Sequence, residues 1–367
     1  MPCSNQLSYA AIQWSGEVIA PPFHVNRTPE GEDNFHPMVQ ASGTIFPESA
    51  MRRLVAILTL SLFAMPTWAF PDRPVALVVP YAPGGTIDVL ARVLAPELSA
   101  ALGQTVAIDT RPGAGGNVGA AYVAQQSRPD GHTILFTGAG LASSVSLSAL
   151  GFDPLRDLTP ILGMGAIPSL VVVSPQSPYR DLGAILAAAR SGSGRVSFGS
   201  SGPGTGSHLA GVLLGAAAGV DLLHVPYRGS AAVYPDLVAQ RIDMLLDVMA
   251  SSIGQVQQGA VRALAITSAA RSDVLPDVPT VAESGVPGYA FETWVGLFIR
   301  SGAPEATQRR LEAAALTALQ APGVRERLRL SAAQPIPAGS AAFAAYFRAD
   351  VERWAEMVRQ GRLQRSE

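Results

Sequence analysis

Val75-Ala76-Leu77-Val78-Val79-Pro80-Tyr81-Ala82-Pro83-Gly84-Gly85-Thr86 is the stretch that decides the fold. Five apolar residues in a row, three of them valine, read as a strand buried on both faces, and Pro80 ends it because proline brings no ladder N–H. Pro83-Gly84-Gly85 supplies a turn, and from Thr86 to Leu102 the apolar residues recur at helical spacing. Strand, glycine turn and helix in that order form the unit of an α/β protein with a parallel sheet.

The unit recurs along the chain. Thr105 to Asp109, Thr133 to Thr137, Ser169 to Ser174, Arg195 to Phe198, Leu222 to Val225, Asp243 to Asp247 and Ala263 to Thr267 read as strands. Asn117 to Gln126, Leu182 to Arg190, Ser207 to Ala218 and Ala231 to Gln240 read as helices. Glu305 to Leu319 and Ala341 to Arg362 are amphipathic, with Trp354 and Met357 on the packed face. Two α/β units of roughly 100–150 residues each are expected.

Composition narrows the chemistry. The chain has 367 residues, 48% apolar and 15% charged, and 26 basic against 28 acidic side chains leave a net charge of −2. That balance offers no basic stripe for nucleic acid. Every basic residue is arginine, which excludes Schiff-base lysines and the P-loop lysine. One cysteine, Cys3, allows neither a disulfide framework nor a CxxC site, and the five histidines form no HxxxH or HExxH. No catalytic set, metal site or cofactor is therefore expected.

Met51-Arg52-Arg53, the apolar run Leu54 to Met65 and Pro66-Thr67-Trp68-Ala69 match a secretory signal cleaved after Ala69. Twelve apolar residues make about 18 Å of helix, too short for a ~30 Å hydrocarbon core. Residues 1–50 show no periodicity and read as a mis-called extension, with Met51 as the true start. The exported chain, 70–367, has no cysteine, which suits an oxidising compartment.

Three glycine-rich loops each follow a strand and open a helix: 81–86, 111–117 and 200–207. Free N–H groups and the positive dipole end make such helix starts anion sites. Each end is worth about 0.3–1 kcal/mol, or ~2 when partly buried, so one alone falls short of the ~8 kcal/mol of micromolar binding. Two facing ends plus many hydrogen bonds in a closed cleft can reach it. For 111–117, a tight turn explains the glycines equally well. Gly202-x-Gly204-x-x-Ser207 with Asp221 imitates a dinucleotide fingerprint, but Ser207 replaces the third glycine and Asp221 precedes the next strand. Ser207 and His208 are adjacent and cannot face each other as nucleophile and base. His208 and His224 read as structural.

In order along the chain, Pro71 to Asp88, Arg111 to Gly119, Arg128-Pro129-Asp130-Gly131-His132-Thr133, Gly199 to Leu209, His224 to Gly229, Leu275 to Gly285 and Trp294 to Leu297 resemble the Bug-type receptors. These are the periplasmic solute-binding proteins of tripartite tricarboxylate transporters, and the resemblance spans essentially all of 70–367. It implies a type II periplasmic-binding-protein fold, with 70–170 plus 290–367 as domain one, 171–289 as domain two and a ligand cleft between them. It implies a monomer that captures a small carboxylate and hands it to membrane transporter subunits, with no nucleic acid involved. A sensor passing occupancy to a membrane signalling protein is the nearest alternative, and a nucleotide-dependent enzyme the next.

By the same resemblance, Tyr81, Ala82, Pro83, Gly84, Gly85, Thr86 and Asp88 face Ser200, Gly202, Gly204, Thr205, Ser207 and His208 across a bound carboxylate. Thr137-Gly138-Ala139, Tyr227-Arg228-Gly229 and Asp247 line the rest. From the residues alone, Asp88 is a ligand contact or a first-turn cap paired with Arg92 at i+4. Arg228 is a clamp for a distal carboxylate or a solvated hinge residue. Asp247 selects an amine or hydroxyl, or caps.

Overall fold

The computed structural model describes residues 70–192, 196–361 and 363. The expected extension at 1–50 and signal at 51–69 lie outside them. The nine strands are β1 Val75–Val79, β2 Val106–Thr110, β3 Thr133–Gly138, β4 Leu158–Val173, β5 Ser197–Ser200, β6 Leu223–Pro226, β7 Met244–Val248, β8 Arg262–Ile266 and β9 Glu292–Arg300. They run in the order β2-β1-β3-β9-β4-β7-β5-β6, with β8 also on β4.

β1 pairs in parallel with β2 and β3, and β5 in parallel with β6 and β7. β9 is antiparallel to both β3 and β4. The long β4 belongs to both halves: Leu158–Pro168 pairs with β9, whereas Ser169–Val173 pairs with β7 and β8. Two register shifts, at Pro160/Leu162 and Gly163/Gly165, let it bend on the way.

Helices cover both faces, so strands are apolar on both sides. Val75, Leu77 and Val79 of β1 pack with Leu90, Leu94 and Leu98 of α1 (Thr86–Leu102), while Val78 turns to the opposite cluster. The helices that matter for the site are α1, α2 (Asn117–Ala121), α3 (Gly140–Leu147), α4 (Leu182–Ser191), α5 (Gly206–Ala218), α6 (Tyr234–Val238) and α7 (Met249–Gln257). The C-terminal helix Ser340–Arg359 buries Phe343, Phe347 and Trp354 against β9, as the amphipathic pattern predicts. Trp294 fills that cluster, and its Nε1 donates to the buried Asp350 Oδ2 at 2.7 Å.

Candidate functional site

At the C-terminal ends of β1, β3, β5, β6 and β7 lies a cavity of about 610 Å³, where open α/β sheets place their ligands. The first wall is the turn 80–87 into α1. Gly84 sits at φ +81°, and its N–H donates to Asp88 Oδ2 at 2.9 Å. Asp88 is buried and is also held by Arg92 through Nε and Nη2, each at 3.0 Å. The facing wall is the turn 201–207 into α5. Thr205 caps α5: its Oγ1 donates to Gly202 O at 2.6 Å and receives the His208 N–H. Ser207 Oγ accepts from Ser201 N–H at 2.8 Å.

Neither helix start is consumed internally. Among the described residues nothing accepts from the N–H groups of Thr86 and Ile87 on α1, or of Gly206 and Ser207 on α5. All four residues line the cavity. Unbonded N–H groups at two positive dipole ends, opening on one space, form a seat for an anion.

The loops meet across the cavity by backbone. A Cβ on Gly115 would stand 2.5 Å from Pro203 O, one on Gly140 2.6 Å from Gly204 O, and one on Gly229 2.9 Å from the Ala82 Cβ. Glycine is required there for close approach, a role the spacing of 111–117 alone did not distinguish from a plain turn.

Of the sequence-derived candidates, Tyr81, Ala82, Gly85, Thr86, Gly138, Ala139, Gly202, Thr205, Ser207, Tyr227, Arg228, Gly229 and Asp247 line the cavity. Pro83, Gly84, Asp88, Thr137, Ser200, Gly204 and His208 do not, because their polar groups face the protein. Asp88 accepts from Gly84 N–H, which precedes the helix, and pairs with Arg92, so it caps no helical N–H. Thr137 Oγ1 stands 3.3 Å from Tyr81 OH. Ser200 Oγ lies 2.6 Å from His224 Nε2 and accepts from Gly202 N–H. His208 Nδ1 accepts from Gly204 N–H at 3.2 Å, which requires the proton to sit on Nε2. Its ring lies 4.2 Å from that of His224, and burial followed by this neighbour pulls His208 down to about 4. Burial lowers His224 also. Both rings are neutral at pH 7 and add no charge behind the α5 turn.

Asp247 reaches the cavity with its acceptors already used. Ser230 Oγ (2.7 Å) and Ser251 Oγ (2.9 Å) donate to Oδ1, and Tyr234 OH (2.8 Å) donates to Oδ2. Burial pushes its carboxyl up, against these donors. Ser251 Oγ is also 3.2 Å from Thr86 Oγ1, which ties the cluster to the start of α1. Arg228 is exposed and pairs with no carboxylate among the described residues. Tyr227 OH donates to Asp236 at 2.8 Å, and burial followed by that carboxylate pushes it up to about 12. Sequence reasoning missed Gly140, Ser230, Thr293 and Val295; β9 comes to this wall only through pairing with strands far away in the chain.

A family model described as "Tripartite tricarboxylate transporter family receptor" matches residues 90–363. The chain belongs to this family. The tripartite tricarboxylate receptor is similar to the UPF0065 protein in the tcbD-tcbE intergenic region of Pseudomonas sp. (strain P51), at 40% identity over 84% of this chain and 92% of that one. It is similar in structure to the periplasmic binding protein BugD, at TM-score 0.76 and 31% identity over 81% of this chain and 100% of that one. MatC from Rhodopseudomonas palustris, solved with bound malate, matches at TM-score 0.74 and 33% identity over 79% of this chain and all of that one. The receptor thus has the α/β fold of the periplasmic binding proteins, and its relatives are binding proteins rather than enzymes. Receptors of this family are periplasmic. No helix among the described residues is long and apolar enough to cross a membrane.

Proposed function

We propose that this receptor, exported and cleaved after Ala69, holds a small carboxylate-bearing solute in the 610 Å³ cavity and delivers it to the membrane subunits of a tripartite tricarboxylate-type transporter. One observation carries the reading: four N–H groups from two helix starts open on one cavity with no protein acceptor. Malate bound to the relative MatC supports the ligand class. Arg228 is the cation available to a second carboxylate, since guanidinium pairs with carboxylates in bidentate fashion.

Ligand capture is by closure of two domains, 70–170 with 290–367 on one side and 171–289 on the other. The change of β4's partners between Pro168 and Ser169 supports that boundary. Isothermal titration of the purified protein with a panel of short mono- and dicarboxylates, malate included, tests the reading. At least one acid should bind with micromolar or tighter affinity. Failure of every acid, or equal binding of the matching amides, would contradict it.

A further inference from the structure

We infer that the Thr293 hydroxyl is a ligand-binding group of the cavity, donating to the carboxylate oxygen seated on the Gly206 and Ser207 N–H groups. This inference rests on the proposed binding of a carboxylate there. On β9, alternation sends Thr293 and Val295 to the cavity and Trp294 to the opposite face, where its ring is packed and hydrogen-bonded. Thr293 Oγ1 therefore sits at the mouth of α5. It lies 3.0 Å from where a Cβ on Gly206 would stand and 3.6 Å from one on Gly138.

Its lack of a partner is what distinguishes it. Every other hydroxyl lining the cavity bonds to a protein group: Tyr81, Thr86, Thr205, Ser207, Tyr227 and Ser230 as described above, and Ser201 through its Oγ, 2.7 Å from Ser207 Oγ. Thr293 is only 6% exposed, and its hydroxyl, open to the cavity, bonds to nothing among the described residues. Buried polar groups are almost always paired, and an orphan in a cavity wall is completed by what the cavity holds. The position is also rigid. Thr293 is laddered to Ile167 of β4, and its neighbour Trp294 is pinned by Asp350, so little motion is lost when a ligand bonds to it.

The test compares wild type, Thr293→Val and Thr293→Ser by titration with malate and the same panel of carboxylates, alongside melting of each protein without ligand. Valine keeps the shape and removes the hydroxyl, so affinity for the bound acid should fall about tenfold or more, the worth of a hydrogen bond to a charged group. Serine should bind within a few-fold of wild type. The ligand-free valine variant should melt at or above the wild-type temperature, because the hydroxyl it removes bonds to no protein group among the described residues. Unchanged affinity in Thr293→Val overturns this inference while the receptor reading stands. A lowered ligand-free melting temperature in that variant marks the hydroxyl as structural and overturns it too. A wild type that binds no acid overturns both.

Discussion

The two turns that face each other across the cavity solve the same problem with different chemistry. The turn into α1 has no side-chain cap at Gly85 and places a buried carboxylate, Asp88, in the first helical turn, bonded to Gly84 N–H and neutralised by Arg92. The turn into α5 is capped by Thr205, braced by Ser201 and Ser207, and backed by two neutral histidines. A negative group at a helix start draws on the same partial positive charge that a ligand would use. The α1 end is therefore partly spent on Asp88, whereas the α5 end keeps its charge for the cavity. The better anion seat is the one built from hydroxyls.

That difference can be broken from either side. The largest effect is expected from Gly85→Asp. Gly85 has extended φ/ψ, a Cβ there would make an ordinary 3.5 Å contact with Ala82 O, and Asp is a preferred N-cap, so the fold should be kept or slightly stabilised. A second carboxylate about 4 Å from a bound one costs about 4 kcal/mol at an effective dielectric of 20, roughly a thousandfold in affinity. Titration showing wild-type affinity would remove the α1 end from the site.

Acid is the next lever, and on the α5 side it acts through His208. His208 is held down at about 4 from 6.5, so its stabilising contribution is complete above the unfolded value and drains away as pH falls toward 4. Denaturant unfolding should show a loss on the order of 2 kcal/mol between about pH 7.5 and pH 5. In His208→Gln the slope should flatten; an unchanged slope would mean that the ring pair is not what titrates. The smallest effect should come from removing the cap: Thr205→Ala should cost about 1 kcal/mol in urea unfolding. A cost near zero would erase the contrast with the uncapped α1 start.

Much of this was legible in the chain. The helix Thr86–Leu102 and the strand ending at Val79 appear where periodicity and Pro80 put them. The helix read at Ala231 to Gln240 is shorter, Tyr234–Val238, and Gln240 adopts φ +56°, which ends it. The sequence reading covers β4 only from Ser169, because Pro160, Gly163, Gly165 and Pro168 interrupt its earlier part. In the fold they are tolerated by two bulges and by pairing with β9, and Gly163 packs under Phe343 and Pro337. β9 escaped for a similar reason: Gly296 breaks its apolar run and is required because the Phe343 ring lies against it. Asp247 reads as selecting an amine or hydroxyl, or as a cap, and its three hydroxyl donors favour an anchoring role.

By itself the sequence determined the repeated strand–turn–helix unit, the free donors at two helix starts and the restriction of every cation to arginine. These follow from local sterics, backbone hydrogen bonding and composition, which act over a few residues. Only the tertiary structure decided which two turns oppose each other, that three glycines let their backbones touch, and that Thr293 stands beside Gly206. Those choices come from strand pairing and core packing between segments far apart in the chain, where no local preference carries the information.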